Sequence, residues 1–315
     1  MRFDLIKCHG SGNDFPLIDA RALSLGDADW ARVARALADR AGPVGGDGLL
    51  LLTADDEDGR AFGMRMFNSD GSESETCLNG LRCVARAGFA ATGLTRATAR
   101  LKTSDALVVR DADIAPGVFT VRETAGPASL DVAAWPMHVD ADQIVEAPLA
   151  GLPSTRAFTA VAMPNPHLVT FVEAVDDAEL VRVGEACEAA PDWLPNRANV
   201  SFVEVRGTDL FVRTHERGVG LTDSCGSAMA ASTFAACLTG RIAYDTPTTV
   251  FNRGGLVRAE AGADGMVTLS GNATVEWTGS VTVDLDPGEP GARDLVIARR
   301  HDEEIAAWET LRTGM

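Results

Sequence analysis

The chain has 315 residues, 46% of them hydrophobic, which is enough to bury a full core and long enough to favour two domains over one. A formal charge of -17 argues against nucleic acid and anionic membrane as partners, because both reward clustered Lys and Arg. The strand-like start at residues 1–7 carries no signal-peptide pattern and no run of eighteen apolar residues occurs, so a cytoplasmic protein is expected. The six cysteines are too sparse for a disulfide scaffold, and none forms a Cys-x-x-Cys pair; reduced thiols and no metal are expected.

Short extended runs are expected at residues 3–7, 15–19, 48–53 and 64–68, with helices at 30–40 and 80–92. Further strands are expected at 101–103, 106–111, 118–123, 158–163, 168–172, 200–205 and 209–215, the last two joined by the tight turn Arg206-Gly207-Thr208. A small-residue apolar helix follows at 227–238. Both it and the 80–92 helix run up to a glycine, Gly240 and Gly93, where a left-handed cap would fall. A composition change at 123–136, with Gly126 and Pro127, predicts a boundary between two halves, and the second half repeats the first in outline. The expected domains are 1–127, rejoined by a returning strand at 278–285, and 128–277. Residues 286–315 are expected as an appendage, a Pro/Gly-rich linker followed by a charged helix at 302–312.

Two cysteines open matching segments, Ser74-Glu75-Thr76-Cys77-Leu78-Asn79-Gly80 and Thr222-Asp223-Ser224-Cys225-Gly226-Ser227-Ala228. Each precedes a small-residue helical run, so each thiol is predicted at a helix N-terminus, where unpaired N–H groups and the helix dipole stabilise a thiolate and bind a carboxylate. A lone cysteine before a helix is more often a small buried hydrophobe. Two in matching polar contexts point to an α-carboxylate held between two acid/base sulfurs, the arrangement that inverts an amino-acid stereocentre. The remaining Cys8, Cys83, Cys187 and Cys237 sit in apolar or helical surroundings and are expected to pack. The run from Lys7 to Phe15 is a poor phosphate loop, since it lacks both the Gly-Lys-Ser/Thr ending and the third glycine of a dinucleotide fingerprint.

Seven stretches together make the chain resemble the diaminopimelate epimerases, amino-acid racemases that work without pyridoxal phosphate. They are His9-Gly10-Ser11-Gly12-Asn13-Asp14-Phe15; Gly45-Gly46-Asp47-Gly48; Phe67-Asn68-Ser69-Asp70-Gly71-Ser72; Cys77-Leu78-Asn79-Gly80-Leu81-Arg82; Pro164-Asn165-Pro166-His167; Asn199-Val200-Ser201-Phe202; and Glu216-Arg217-Gly218-Val219-Gly220 leading to Cys225-Gly226-Ser227. The resemblance covers residues 1–285 and implies an α+β fold of two pseudo-symmetric αβ domains. Each is a mixed or antiparallel sheet wrapped round a central helix, 80–92 or 227–238, with the active site in the interdomain cleft.

It also implies roles. Cys77 and Cys225 would be the acid/base thiols, assisted by His167 and Glu216 respectively, with no cofactor. The reacting carboxylate would lie on backbone N–H groups of Leu78, Asn79, Gly226 and Ser227. Arg217 would pair with the distal carboxylate of the substrate. Asn68, Asn165 and Asn199, with Glu216, would read the distal ammonium and carboxylate, and Asn13 would complete the wall. The expected partner is a small-molecule amino acid, and a homodimer is allowed.

Three positions depart from the family pattern. Leu78 stands where glycine usually follows the first cysteine, which places an isobutyl group near the reacting centre and questions the substrate. Gly48 stands where some members carry glutamine, and His215 where an aromatic residue is frequent. Leu78 leaves open a racemase for another amino acid, such as histidine. A hydrolase with Cys225 as nucleophile and His167 or His215 as base is a third reading.

Overall fold

The computed structural model describes residues 1–55, 59–135, 137–285 and 290–314. In chain order its elements are Arg2–Gly10 (β1), Asn13–Asp19 (β2), Asp27–Ala38 (α1), Gly48–Thr53 (β3), Phe62–Asn68 (β4), Leu78–Thr92 (α2), Arg96–Arg100 (β5), Asp105–Arg110 (β6) and Thr120–Ala125 (β7). Then come Ala147–Pro148 (β8), Ala157–Ala162 (β9), Pro166–Val172 (β10), Asp177–Glu188 (α3), Asn199–Arg206 (β11), Asp209–Glu216 (β12), Gly220–Thr222 (β13) and Gly226–Leu238 (α4). Thr248–Phe251 (β14), Leu256–Ala261 (β15), Val267–Asn272 (β16), Thr274–Asp284 (β17), Gly291–Arg300 (β18) and Asp302–Thr313 (α5) complete it.

The chain divides into two compact units, one of residues 1–123 and 270–315, the other of residues 124–269. The same pairing order builds both. In the first unit β1 is antiparallel to β2, β2 parallel to β3, β3 antiparallel to β4, β4 parallel to β5, and β5 antiparallel to β6. In the second, β9 is antiparallel to β10, β10 parallel to β11, β11 antiparallel to β12, β12 parallel to β14, and β14 antiparallel to β15. A parallel step needs a long crossover, and a helix supplies it at all four: α1 and α2 in one unit, α3 and α4 in the other. The mixed α+β class and the internal repeat expected from the sequence are therefore both present.

The second crossover helix of each unit is its centre. α2 packs on β1, β2, β3, β4 and β6; α4 packs on β9, β10, β11, β12, β14 and β15. Every residue of α4 from Gly226 to Cys237 is buried, which explains its run of Ala, Ser, Thr and Gly: a helix enclosed by strands has no polar face to show and little room for side chains. β3 is buried on both faces for the same reason. Leu49 and Leu51 join a core with Trp30 and Leu37 of α1, while Leu50 lies 2.6 Å from where a Cβ on Gly80 of α2 would stand. The first-helix side of the second unit is a core of Leu180 and Val183 against Phe158, Leu168, Val200 and Phe202.

Three expectations change. The run at 101–103 is a turn, closed by Leu101 N–H donating to the Ser104 carbonyl at 2.8 Å. α3 and the strands β5, β8, β13, β14, β15, β16 and β18 are additional elements. Residues 291–314 are not an appendage: β18 pairs antiparallel with β17, which itself pairs with β1, and α5 buries Trp308 to 2% exposure within the first unit. An indole of that size, once buried, makes the segment part of the core. The expected linker at 286–289, residue 315 and Pro136 of the expected boundary lie outside the described residues.

Candidate active site

In each unit the site residues fall at one end of the sheet, at the starts of the second and third strands of the repeat, the end of the fourth, and the start of the central helix. In the first unit these places hold Asn13, Gly48, Asn68 and Cys77. In the second they hold His167, one residue inside β10, with Asn199, Glu216 and Cys225. The repeat thus places two sets of polar side chains by the same topology.

Cys77 is the N-cap of α2, with extended backbone (φ -148, ψ 98) and a sulfur that accepts from Gly80 N–H at 3.3 Å. Its thiol faces Asn13, with Sγ 3.9 Å from Oδ1. Asn13 donates its Nδ2 to Asp47, and Asp47 also accepts from the Asp14 backbone N–H at 3.0 Å and from Arg40 at 2.6 Å. Asn68 donates to Ser72 Oγ at 2.9 Å in the turn after β4. Asn79 uses its side chain structurally: its Oδ1 accepts from Arg82 Nη2 at 2.7 Å, leaving its backbone N–H at the helix start. Leu78 is 6% exposed, so its isobutyl group is packed.

Arg82 anchors this helix start from beneath. Fully buried, it donates to Glu123 at 2.7 Å, to Ser11 Oγ at 3.1 Å and to the Asn272 carbonyl at 3.1 Å. Asn272 in turn accepts from Ser11 N–H and donates to His9. Burial pushes the Glu123 carboxyl up to about 8, against the pull of Arg82, and its second oxygen has no partner among the described residues. His9 lies against Trp308 with ring centres 5.6 Å apart and planes tilted by 58°, and burial lowers its pKa to about 4, so it is neutral.

Cys225 is the N-cap of α4 in the same extended conformation (φ -132, ψ 110), with Sγ 3.5 Å from Ser227 Oγ. Here the dipole argument meets a stronger effect. At 8% exposure, burial raises the thiol well above its ordinary range, and the charge of Glu216 raises it further; hydrogen bonds from Ser227 and the Ala228 backbone only partly offset this. Cys225 therefore rests as a thiol, with the Glu216 carboxylate near enough to raise it. Glu216 accepts from Thr222 Oγ1, a partner that sequence reading missed.

His167 is buried at 0% exposure, and burial drives its pKa down to about 3, with the Arg217 charge adding to the effect. A neutral imidazole results, with Nε2 3.1 Å from Asn165 Oδ1 and 3.5 Å from Asn199 Nδ2. Asn165 donates to Ser227 Oγ at 3.2 Å, and Asn199 Oδ1 accepts from Arg217 N–H at 2.8 Å, so one network joins His167, Asn165, Asn199, Arg217 and the start of α4. The Arg217 guanidinium donates to the Asn196 carbonyl at 3.2 Å and pairs with no carboxylate among the described residues.

The two other departures are structural. A Cβ on Gly48 would stand 2.3 Å from the Phe67 carbonyl oxygen, so the β3–β4 pairing demands glycine there. His215 packs its ring where a Cβ on Gly184 of α3 would come within 2.2 Å of it, which makes it a core residue. Cys8, Cys83, Cys187 and Cys237 are buried as expected. Arg82 and Lys7 carried a readable signal, a charge inside an apolar helix and an apolar strand; Glu123, Thr222 and Asn272 carried none. Among the described residues no helix is long and apolar enough to cross a membrane, and no cluster of three or more His, Cys, Asp or Glu side chains could hold a metal.

Solved structures with this fold include epimerases and racemases. A predicted epimerase from Pseudomonas aeruginosa superposes with a TM-score of 0.64 at 19% identity, covering 88% of this chain and 98% of that one. A hydroxyproline epimerase from Agrobacterium vitis, bound to trans-4-hydroxy-L-proline, gives 0.64 at 15% identity, covering 91% and 94%. The fold is shared with solved epimerases, and sequence narrows the class. The diaminopimelate epimerase family model matches residues 5–114 and 159–276, and the chain belongs to that family. The diaminopimelate epimerase of Clostridium acetobutylicum is 36% identical over 294 residues, covering 90% of this chain and 87% of the relative. That of Enterococcus faecalis is 36% identical over 320 residues, covering 98% and 97%.

Proposed function

We propose that this enzyme interconverts LL- and meso-2,6-diaminopimelate by two-base proton transfer at the α-carbon, in lysine and peptidoglycan precursor supply. The observation that carries the reading is the pair of cysteine N-caps, Cys77 and Cys225, set at equivalent places in two repeats of one topology. Cys77 and Cys225 act on opposite faces of one α-carbon, one as thiolate removing the proton while the other as thiol delivers one. The resting thiol at Cys225 suits the delivering role. Glu216 assists Cys225, and His167, a neutral imidazole that burial keeps from holding a proton, assists Cys77 as a hydrogen-bonding group.

The α-carboxylate rests on backbone N–H groups of Leu78, Asn79, Gly226 and Ser227, which also stabilise the charge that builds as the proton leaves. No imine-forming cofactor is needed for that. Arg217 takes the distal carboxylate in a bidentate pair, and its lack of a carboxylate partner within the protein supports this. Asn13, Asn68, Asn165 and Asn199, with Glu216, read the distal head. The same reading puts the enzyme in the cytoplasm, which its six free cysteines support, and allows a homodimer.

The test is proton exchange in deuterated water. LL-Diaminopimelate should gain α-deuterium and yield the meso form, whereas single-headed amino acids should not. Cys77→Ala and Cys225→Ala should each abolish epimerisation. Turnover that survives Cys77→Ala, or no α-deuterium in diaminopimelate, would overturn the proposal.

A further inference from the structure

The Gly45-Gly46-Asp47-Gly48 stretch carries a carboxylate for which the proposed reaction has no use, yet it lies one residue away from a reactive sulfur. Asp47 Oδ2 accepts from two donors at once, the Asn13 side-chain amide and the Asp14 backbone N–H. Its Oδ1 accepts from Arg40 at 2.6 Å. An ionised carboxylate can only accept, so the Asn13 amide must turn its NH2 to Asp47 and its carbonyl away. The carbonyl then points at Cys77, with Oδ1 3.9 Å from Sγ.

We propose that Asp47 is a positioning residue that locks the Asn13 amide with its oxygen toward the Cys77 sulfur. An amide oxygen accepts a hydrogen bond from a thiol and offers nothing to a thiolate. The lock therefore keeps the Cys77 proton in place until substrate engages Asn13 and the amide is recruited elsewhere. Without the lock the amide can flip, present Nδ2 to the sulfur and favour the thiolate. Other charges around this group are Lys7 and Arg40 on Asp14, and Arg40 on Asp47 itself. Burial raises the Asp14 carboxyl, but Arg40 and Lys7 outweigh it, so Asp14 remains ionised through neutral pH. The catalytic meaning of the lock rests on the reading of Cys77 as an acid/base thiol, but its test does not.

The experiment is alkylation of the full-length protein by iodoacetamide from pH 6 to pH 10, with modification of Cys77 followed by peptide mass spectrometry. Asp47→Ala should move the Cys77 pH profile down by about one unit, so that alkylation at neutral pH accelerates on the order of tenfold. Loss of negative charge alone would act in the same direction, and Asp47→Asn separates the two. The Asp14 N–H obliges an asparagine at 47 to put its oxygen where Oδ2 stands, so the lock survives while the charge goes. Asp47→Asn should therefore stay closer to the wild type than to Asp47→Ala, any remaining shift being the effect of charge alone. An Asp47→Asn profile that follows Asp47→Ala, or an Asp47→Ala profile unchanged from wild type, would overturn the proposal. Because no turnover is measured, the result stands whether or not diaminopimelate is the substrate.

Discussion

Gly10 offers the sharpest test of how the Cys77 helix is positioned. A Cβ there would stand 2.5 Å from the Asn79 carbonyl oxygen and 3.0 Å from Arg82 Nη2, whereas ordinary contact begins at 3.4 Å. In Gly10→Ala either β1 or the first turn of α2 must retreat by about 0.9 Å, since the obstructing atom is backbone and cannot rotate aside. Overpacking of this kind costs about 1–3 kcal/mol, which a protein of this size tolerates while staying folded. The catalytic effect should be larger in proportion, because a displacement of about 1 Å at a reacting group costs on the order of 100-fold. The assay is α-deuterium incorporation into diaminopimelate beside urea unfolding, with Gly291→Ala, whose Cβ meets nothing within 4 Å, as control. Exchange within about twofold of wild type together with unchanged unfolding would refute the claim that β1 sets the α2 start.

Glu123→Gln should change the pH dependence of stability. The Glu123 carboxyl lies at about 8 when folded against an ordinary 4.5, so the stability held by its protonated form is complete below pH 4.5 and is lost as pH rises to 8. The Gln variant lacks that loss, and the difference between the two should shift in its favour by up to about 5 kcal/mol between pH 4.5 and pH 9, read by denaturant unfolding; a constant difference would contradict the raised carboxyl. Arg217→Lys should lower kcat/KM for diaminopimelate roughly 100-fold, since an ammonium cannot make the bidentate pair, and steady-state kinetics near wild type would remove Arg217 from the site. Trp308→Ala should cost about 3–5 kcal/mol in thermal or denaturant unfolding, as expected of a large core side chain and not of an appendage.

The framework of the candidate site was legible because short local signals mark it. Two cysteines before small-residue runs located both helix starts, and the glycines after those runs located their ends: Gly93 and Gly240 both adopt positive φ, 75° and 73°. Strands such as β3 and β9 to β12 were legible as apolar runs. α3 was overlooked although its buried face, Leu180, Val183, Gly184 and Cys187, has the i, i+3, i+4, i+7 spacing of a helix and Asp176 caps it by accepting from Ala178 and Glu179 N–H; half of that face is Gly and Cys, which makes the apolar stripe faint. β18 was hidden by exposure, since a strand with Arg293, Asp294, Arg299 and Arg300 outward shows no alternation. The raised pKa of the Cys225 thiol was not legible in local sequence, because the burial that sets it comes from the strands packed around α4.

The pairing of β1 with β17 has a consequence for the order of synthesis. The second unit is one continuous stretch, 124–269, and can close as soon as it leaves the ribosome. The first unit cannot. Its strand β1 waits for a partner more than 260 residues downstream, Arg82 waits for Asn272, and His9 waits for Trp308. The unit that carries Cys77 is therefore completed after the unit that carries Cys225, although its first strand is encoded first.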